Sequence, residues 1–176
     1  RGNGEVGEVI TNNAKVFANV PVEIPFDGRL VLRGEAVITY SQFERINASI
    51  PDAEAKYKNP RNLCSGSVRQ LNNEITAKRN VNFFAFSLVE AGNIDFENSR
   101  EKQMLWLQSQ GFDIVEFRTV TADNVIEAVE YFEKAIENND VPSDGLVLTF
   151  DDILYSQSLG STAKFPRDSI AFKWRD

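Results

Sequence analysis

The chain has no histidine and one cysteine among its 176 residues. Serine, threonine or cysteine nucleophiles that depend on an imidazole base are therefore excluded. A structural zinc site, usually built from about four Cys or His ligands, lacks its donors here. Cys64 alone closes no internal disulfide, which fits a reducing compartment such as the cytoplasm. No apolar run approaches the roughly 18 residues that suggest a membrane span. Arg1 is followed by glycines and acids, not by the apolar segment of a signal peptide. Positive charge is also scarce: 19 Lys and Arg face 26 Asp and Glu, for a net charge of −7. Domains held on nucleic acid by bulk charge are usually basic. Any phosphate contact in this chain therefore depends on a local cluster of cations.

The composition that remains is that of a globular domain, and the length suits one domain with a real core. "RGNGEVGEVITNN" opens the chain with three glycines in seven residues and reads as a loop. "RLVLRGEAVITY" (29–40) is rich in Val, Leu, Ile and Tyr and predicts a strand. Ser41 and Glu44 then have capping-box spacing, with Phe43, Ile46 and Ile50 on one helical face. "VNFFAFSLV" (81–89) predicts a buried strand. Residues 99–110 predict a helix ended by Gly111, with Met104, Leu105 and Leu107 as its apolar contacts. "FDIVEFRTV" alternates as a strand does. Val125, Val129, Phe132 and Ile136 mark an amphipathic helix within 123–138. "DGLVLTF" (144–150) and "IAFKW" (170–174) predict two more strands. Helices and strands mix without a βα rhythm, so the expected class is α+β with mostly antiparallel sheet and no internal domain boundary.

Five places carry candidate chemistry, and each has two readings. Gly34, in Arg33-Gly34-Glu35, interrupts a strand where a backbone or ligand comes close. Glu35 beside it is either an acceptor for ligand hydroxyls or metal, or a solvated acid next to a bulge. Asp144-Gly145 is either a carboxylate for a divalent cation or a turn pair. Lys173, between Phe172 and Trp174, is a compact charge for phosphate if its face lines a cleft, and an edge lysine otherwise. Phe83, Phe84 and Phe86 are core residues, unless one of them stacks on a base. Arg61 and Arg69 flank "NLCSGSV" and are either guanidinium forks for phosphate or solvated arginines at a helix start. The interval 56–79 is locally basic, with Lys56, Lys58, Arg61, Arg69, Lys78 and Arg79 against one acid, Glu74.

The order of these segments is more specific than any one of them. "RGNGEVGEVITNN", "LVLRGEAV", "NPRNLCSGSVRQL", "ITAKRNVNFFAF", "DGLVL", "LGSTAKFPR" and "IAFKW" follow the order found in bacterial NAD-dependent DNA ligases. From Arg1 to Trp174 the chain resembles the adenylation (nucleotidyltransferase) domain of that family. The resemblance implies transfer of AMP from NAD to an enzyme lysine, then to the 5′-phosphate of a nick, and sealing by the 3′-hydroxyl. It implies that Glu35 contacts the AMP ribose, Phe86 stacks on adenine and Val147 packs on the other adenine face. It further implies that Asp144 is linked to Mg2+ (or Mn2+) and that Lys173 approaches the α-phosphate. Arg61 and Arg69 match arginines that handle phosphates of the cofactor or of the nick. Arg1 matches a cofactor-binding arginine just downstream of the nucleophile motif. The implied partners are nicked duplex DNA, an upstream nicotinamide-binding region and a downstream OB-fold with other DNA-clamping domains, with no membrane.

Some positions depart from the family pattern. The nucleophile motif Lys-x-Asp-Gly is absent, since Pro25 and Pro142 stand where its lysine would precede the two Asp-Gly pairs. Family spacing places the motif just before Arg1, so the resemblance implies a domain cut short upstream. Thr149 stands where the family has a lysine, Asp168 where it has a tryptophan, Phe86 where it has a tyrosine, and Cys64 where it has a small residue. The segment before Asp144 lacks an arginine. These losses motivate an alternative: a non-catalytic paralogue that keeps the fold as a DNA-binding or scaffolding module. A nucleotidyltransferase using ATP or GTP is disfavoured by "NPRN" and "RQL".

Overall fold

The computed structural model describes residues 3–174. Its backbone is α+β, with two antiparallel two-stranded ladders and flanking helices. The first ladder pairs β1 (Leu30–Val37) with β2 (Asn82–Ala91). The second pairs β3 (Leu146–Thr149) with β4 (Ser169–Phe172). Four helices precede β2: α1 (Thr11–Ala14), α2 (Tyr40–Ala48), α3 (Pro60–Ser67) and α4 (Asn73–Lys78). Three follow it: α5 (Arg100–Ser109), α6 (Val125–Glu137) and α7 (Ile153–Leu159).

Two apolar clusters meet along β2. One contains Phe17, Ile38, Leu63, Cys64 and Val81, covered by Phe43 and Ile46 of α2. The other contains Ala85, Leu88 and Ala91 of β2 with Met104 and Leu107 of α5. Phe83 packs against both. Each fully buried Leu, Ile or Val contributes about 1.5–3 kcal/mol by leaving water, so the ladder β1–β2 with α3 and α5 is the stable frame of the domain.

Local chemistry moves several boundaries. β1 stops at Val37 because Thr39, in extended geometry, caps α2 and accepts from the Gln42 amide. The Ser41–Glu44 pair is therefore not the cap. Ser41 instead donates its hydroxyl to Asp140 at 2.5 Å. Ile50 lies beyond the end of α2. β2 is buried on one side only, with Phe86 and Val89 exposed. Leu105 of α5 points to solvent while Met104 and Leu107 are buried, because the apolar spacing of this short helix covers only one stripe. "FDIVEFRTV" forms no ladder. Ile114 makes a single parallel bridge to Ala85, whose amide donates to the Asp113 carbonyl and whose carbonyl accepts from Val115. Ala85 lies opposite Gly34 on β1, and its amide and carbonyl point to the other side, towards residues 113–115. Among the described residues no helix is long and apolar enough to cross a membrane.

Candidate functional site

Side chains alternate faces along a strand, and cross-strand partners share a face. In the second ladder Val147 is opposite Ala171 and Thr149 opposite Ser169. These four residues therefore line one face, and continuing the alternation brings Lys173 onto it beside Gly145. Val147 is 63% exposed on that face. The Lys173 Nζ lies 3.2 Å from Asp144 Oδ2, with both side chains well exposed. Such a pair contributes little stability, so both groups are free to exchange each other for a ligand. Gly145 makes the approach possible, because a Cβ there would lie 2.5 Å from the Phe172 carbonyl oxygen and 3.2 Å from Lys173 Cγ. Asp-Gly is thus more than a turn pair: its glycine admits the strand that carries Lys173.

In the first ladder, Arg33 pairs with Ser87 and Gly34 with Ala85, which leaves Phe86 as the extra residue of a bulge. Bulges re-aim side chains, and Phe86 stands 49% exposed while Ala85 behind it is fully buried. Glu35, opposite Phe84, is also exposed. The backbone reading of Gly34 is correct. A Cβ there would run into the Phe84 carbonyl oxygen and the Phe83 ring.

"NPRNLCSGSVRQ" is mostly helix. Asn59 caps α3 by accepting from the Asn62 amide at 2.8 Å, and Pro60 occupies the first turn, where no amide donor is needed. Leu63, Cys64 and Ser67 face inward while Arg61, Asn62 and Ser65 face water. Arg61 has no hydrogen-bond or ion-pair partner among the described residues. Arg69 follows the helix and is gripped by Glu8, with Nε–Oε2 at 2.9 Å and Nη2–Oε1 at 3.0 Å. The backbone around Arg69 is held by Asn13, whose amide donates to the carbonyls of Val68 and Gln70 at 2.8 and 2.9 Å. These groups border a cavity of about 370 Å³ that also includes Ile10 and Leu71. The basic interval is not a uniform strip. Arg79 turns inward, donates to Ser67 Oγ at 3.0 Å and lies over the Tyr57 ring.

Glu8 and Asn13 hold Arg69 and the backbone around it, and neither was expected from the sequence. Their only sequence signal was polarity, which surface residues share. Arg1 falls outside the described residues. Among the described residues no group of three or more Cys, Asp or Glu side chains gathers as a ready-made metal site. Cys64 is a packed thiol: burial, and then the nearby Glu35 carboxylate, push its pKa up to about 11. The Asp140 carboxyl is held below its ordinary range by the Ser41 hydroxyl and amide. Asp152 is held low chiefly by the Tyr155 amide that it caps.

The α+β architecture agrees with the family to which known proteins assign the chain. The chain belongs to the NAD-dependent DNA ligase adenylation domain family, whose profile matches residues 1–176. It is 67% identical over 176 residues to the DNA ligase of Ruminiclostridium cellulolyticum and 66% identical to that of Lachnoclostridium phytofermentans, covering 100% of this chain and 27% of each relative. The DNA ligase of Aliarcobacter butzleri is 38% identical over 179 residues, with 99% of this chain and 27% of that protein covered. The chain thus spans about a quarter of the length of these curated relatives. Relatives named as ligases at this identity do not favour the non-catalytic paralogue.

Proposed function

We propose that residues 1–176 are the adenylation domain of an NAD-consuming DNA ligase that seals nicks in duplex DNA. The observation that carries this reading is the Lys173–Asp144 pair on the same exposed face as Val147, in a chain matched by the adenylation family from end to end. NAD is a substrate here. An amine attacks its α-phosphorus, an N–P bond forms, and the P–O bond to nicotinamide mononucleotide breaks. AMP then passes to the 5′-phosphate of the nick, and the 3′-hydroxyl displaces it.

The residues present suit these steps. Phe86 and Val147 offer apolar surfaces to the two faces of adenine, and Glu35 accepts from the ribose hydroxyls. Lys173 meets the charge that develops on the α-phosphate. Mg2+ or Mn2+ binds through one or two carboxylates plus phosphate oxygens, a donor set that Asp144 and the substrate would complete; the cation spreads phosphate charge. Arg61, exposed and without a partner among the described residues, and Arg69, once released by Glu8, bind phosphates of the cofactor or of the nick. Residues 1–176 contain no Lys-x-Asp-Gly. The nucleophile, with Arg1 just after it, is supplied in the whole protein by sequence upstream, next to a nicotinamide-binding region. An OB-fold and further DNA-clamping domains follow downstream, and the protein works in the cytoplasm.

The test is Lys173→Ala in the full-length protein, read as covalent enzyme–AMP after incubation with NAD. Loss of one preorganised charge contact costs on the order of a hundredfold or more. Undiminished adenylation would remove Lys173 from the α-phosphate.

A further inference from the structure

Four residues form an unbroken hydrogen-bonded chain that ends on the candidate ligand face. Arg100 Nη2 donates to Asp168 Oδ2 at 2.9 Å. Ser169 Oγ donates to Asp168 Oδ1 at 2.9 Å. Ser169 Oγ and Thr149 Oγ1 are 2.9 Å apart. Arg100 also donates from Nε to the Phe150 carbonyl at 3.1 Å, which fixes the guanidinium. Asp168 is the sheltered member, with its side chain only 12% exposed.

The direction of each bond follows from the proton inventory. A guanidinium only donates, and a carboxylate only accepts. Both Asp168 oxygens are therefore acceptors, one for Arg100 and one for Ser169. Ser169 has a single hydroxyl proton, and it is spent on Asp168. The remaining bond in the chain must then be donated by Thr149 to Ser169. Thr149 thus has its proton turned inward and its lone pairs turned outward, on the same face as Val147 and Lys173.

We infer that the Arg100–Asp168–Ser169 relay sets Thr149 as a hydrogen-bond acceptor, making it a specificity-determining position that favours a ligand O–H or N–H donor and disfavours a phosphate oxygen. Phosphate is thereby left to Lys173 on the same face. The inference rests on the nucleotide reading of that face and refines it. Of the two cations tied to this ladder, Lys173 alone offers its charge to the ligand face, because the Arg100 charge is matched by Asp168.

Asp168→Asn reverses the relay while changing few atoms. Arg100 still needs an acceptor, so the new amide keeps its oxygen there and turns its N–H2 towards Ser169. Ser169 then donates to Thr149, and the Thr149 proton faces the ligand. Ser169→Ala frees the same proton with no change of charge, and serves should Asp168→Asn fail to fold. Calorimetry on the full-length protein compares AMP with adenosine, so that only the phosphate differs. A new donor to a charged oxygen predicts that the preference for AMP over adenosine rises about tenfold in Asp168→Asn and in Ser169→Ala. Adding Thr149→Val to either variant returns the preference to that of the unsubstituted protein. Thr149→Val alone does not lower it.

Three results would overturn the inference. The preference could stay unchanged in both relay variants. It could rise and persist after Thr149→Val is added, which would assign the effect to net charge. Or it could fall with Thr149→Val alone, which would make Thr149 a donor already. Absence of both AMP and adenosine binding in the unsubstituted protein would instead overturn the nucleotide reading of the face, and this inference with it. Binding with an unmoved preference overturns the relay alone.

Discussion

Cys64 shows how one residue couples the core to the candidate site. Its sulfur donates to the Ala36 carbonyl at 3.2 Å, and its thiol feels Glu35, the residue next to Ala36 on β1. Burial, then Glu35, raise its pKa from 9.0 to about 11. A folded-state pKa above the unfolded value means that the native state holds the proton more tightly. The resulting stability is complete below pH 9 and is lost as pH rises through 11. Cys64→Ala lacks this contribution. The stability difference between the native chain and Cys64→Ala should therefore shrink by an amount on the order of 2–3 kcal/mol as pH rises from about 9 to about 11. Urea unfolding at several alkaline pH values measures it. A constant difference would mean that Cys64 ionises as freely in the folded chain as in the unfolded one.

Among elements, β1 and β2 carry the tightest packing requirement. The close approach at Gly34 leaves no room for a side chain, and the obstacle is partly backbone, which does not rotate aside. Gly34→Ala should cost about 1–3 kcal/mol, the usual range for overpacking, seen as a lower urea midpoint. Unchanged stability would mean that the ladder has slack at the bulge and that Phe86 is not held there by its neighbours. Strands and long amphipathic helices were legible in the sequence because period 2 and period 3.6 are written over many residues. β1, β2, β3, β4, α2, α5 and α6 all emerge near their expected places. Helices α1, α4 and α7 were not legible, and α3 was legible only as one of two readings of its arginines. Each is at most eight residues long and is set by capping or tertiary contacts instead of a repeating apolar stripe. Lys173 and Asp144 were visible as residues, but their pairing was not, since 29 positions separate them. Arg69 is open in the sequence between a phosphate fork and a solvated arginine, and its Glu8 partner lies in a segment with the composition of plain loop. Thr149 and Asp168 stood out only as departures, and the relay that joins them depends on ladder register that no local pattern encodes.

At the scale of the molecule, the β3–β4 ladder lies outside the β1–β2 frame, is the less buried of the two ladders and carries much of the proposed chemistry. Val147, Phe150, Ile170 and Phe172 are all exposed, so little apolar burial secures it. Polar tethers hold it instead. On one side, Asp140 accepts from the Ser41 hydroxyl and amide and its carbonyl accepts from Tyr40, tying the entry to β3 onto α2. On the other, Arg100 binds Asp168 and the Phe150 carbonyl, while Asp151 accepts from Ser99 and from the Glu101 amide, tying the ladder to the start of α5. Regions with few buried apolar contacts open at low free energy, independently of the core. Amide hydrogen exchange should therefore be fastest in β3 and β4 and slowest in β1 and β2. Asp140→Ala should speed exchange in β3 while leaving β1 and β2 unchanged. Acid should act in the same direction. The Asp140 carboxyl is held below its ordinary range by Ser41, so its tether persists above that range and is lost as pH falls through the depressed value. Equal acceleration across both ladders in Asp140→Ala would show a single cooperative unit and refute the β3–β4 ladder as a separately tethered part. Acceleration confined to β3 and β4 would mark this ladder as a part of the domain that opens without disturbing the core.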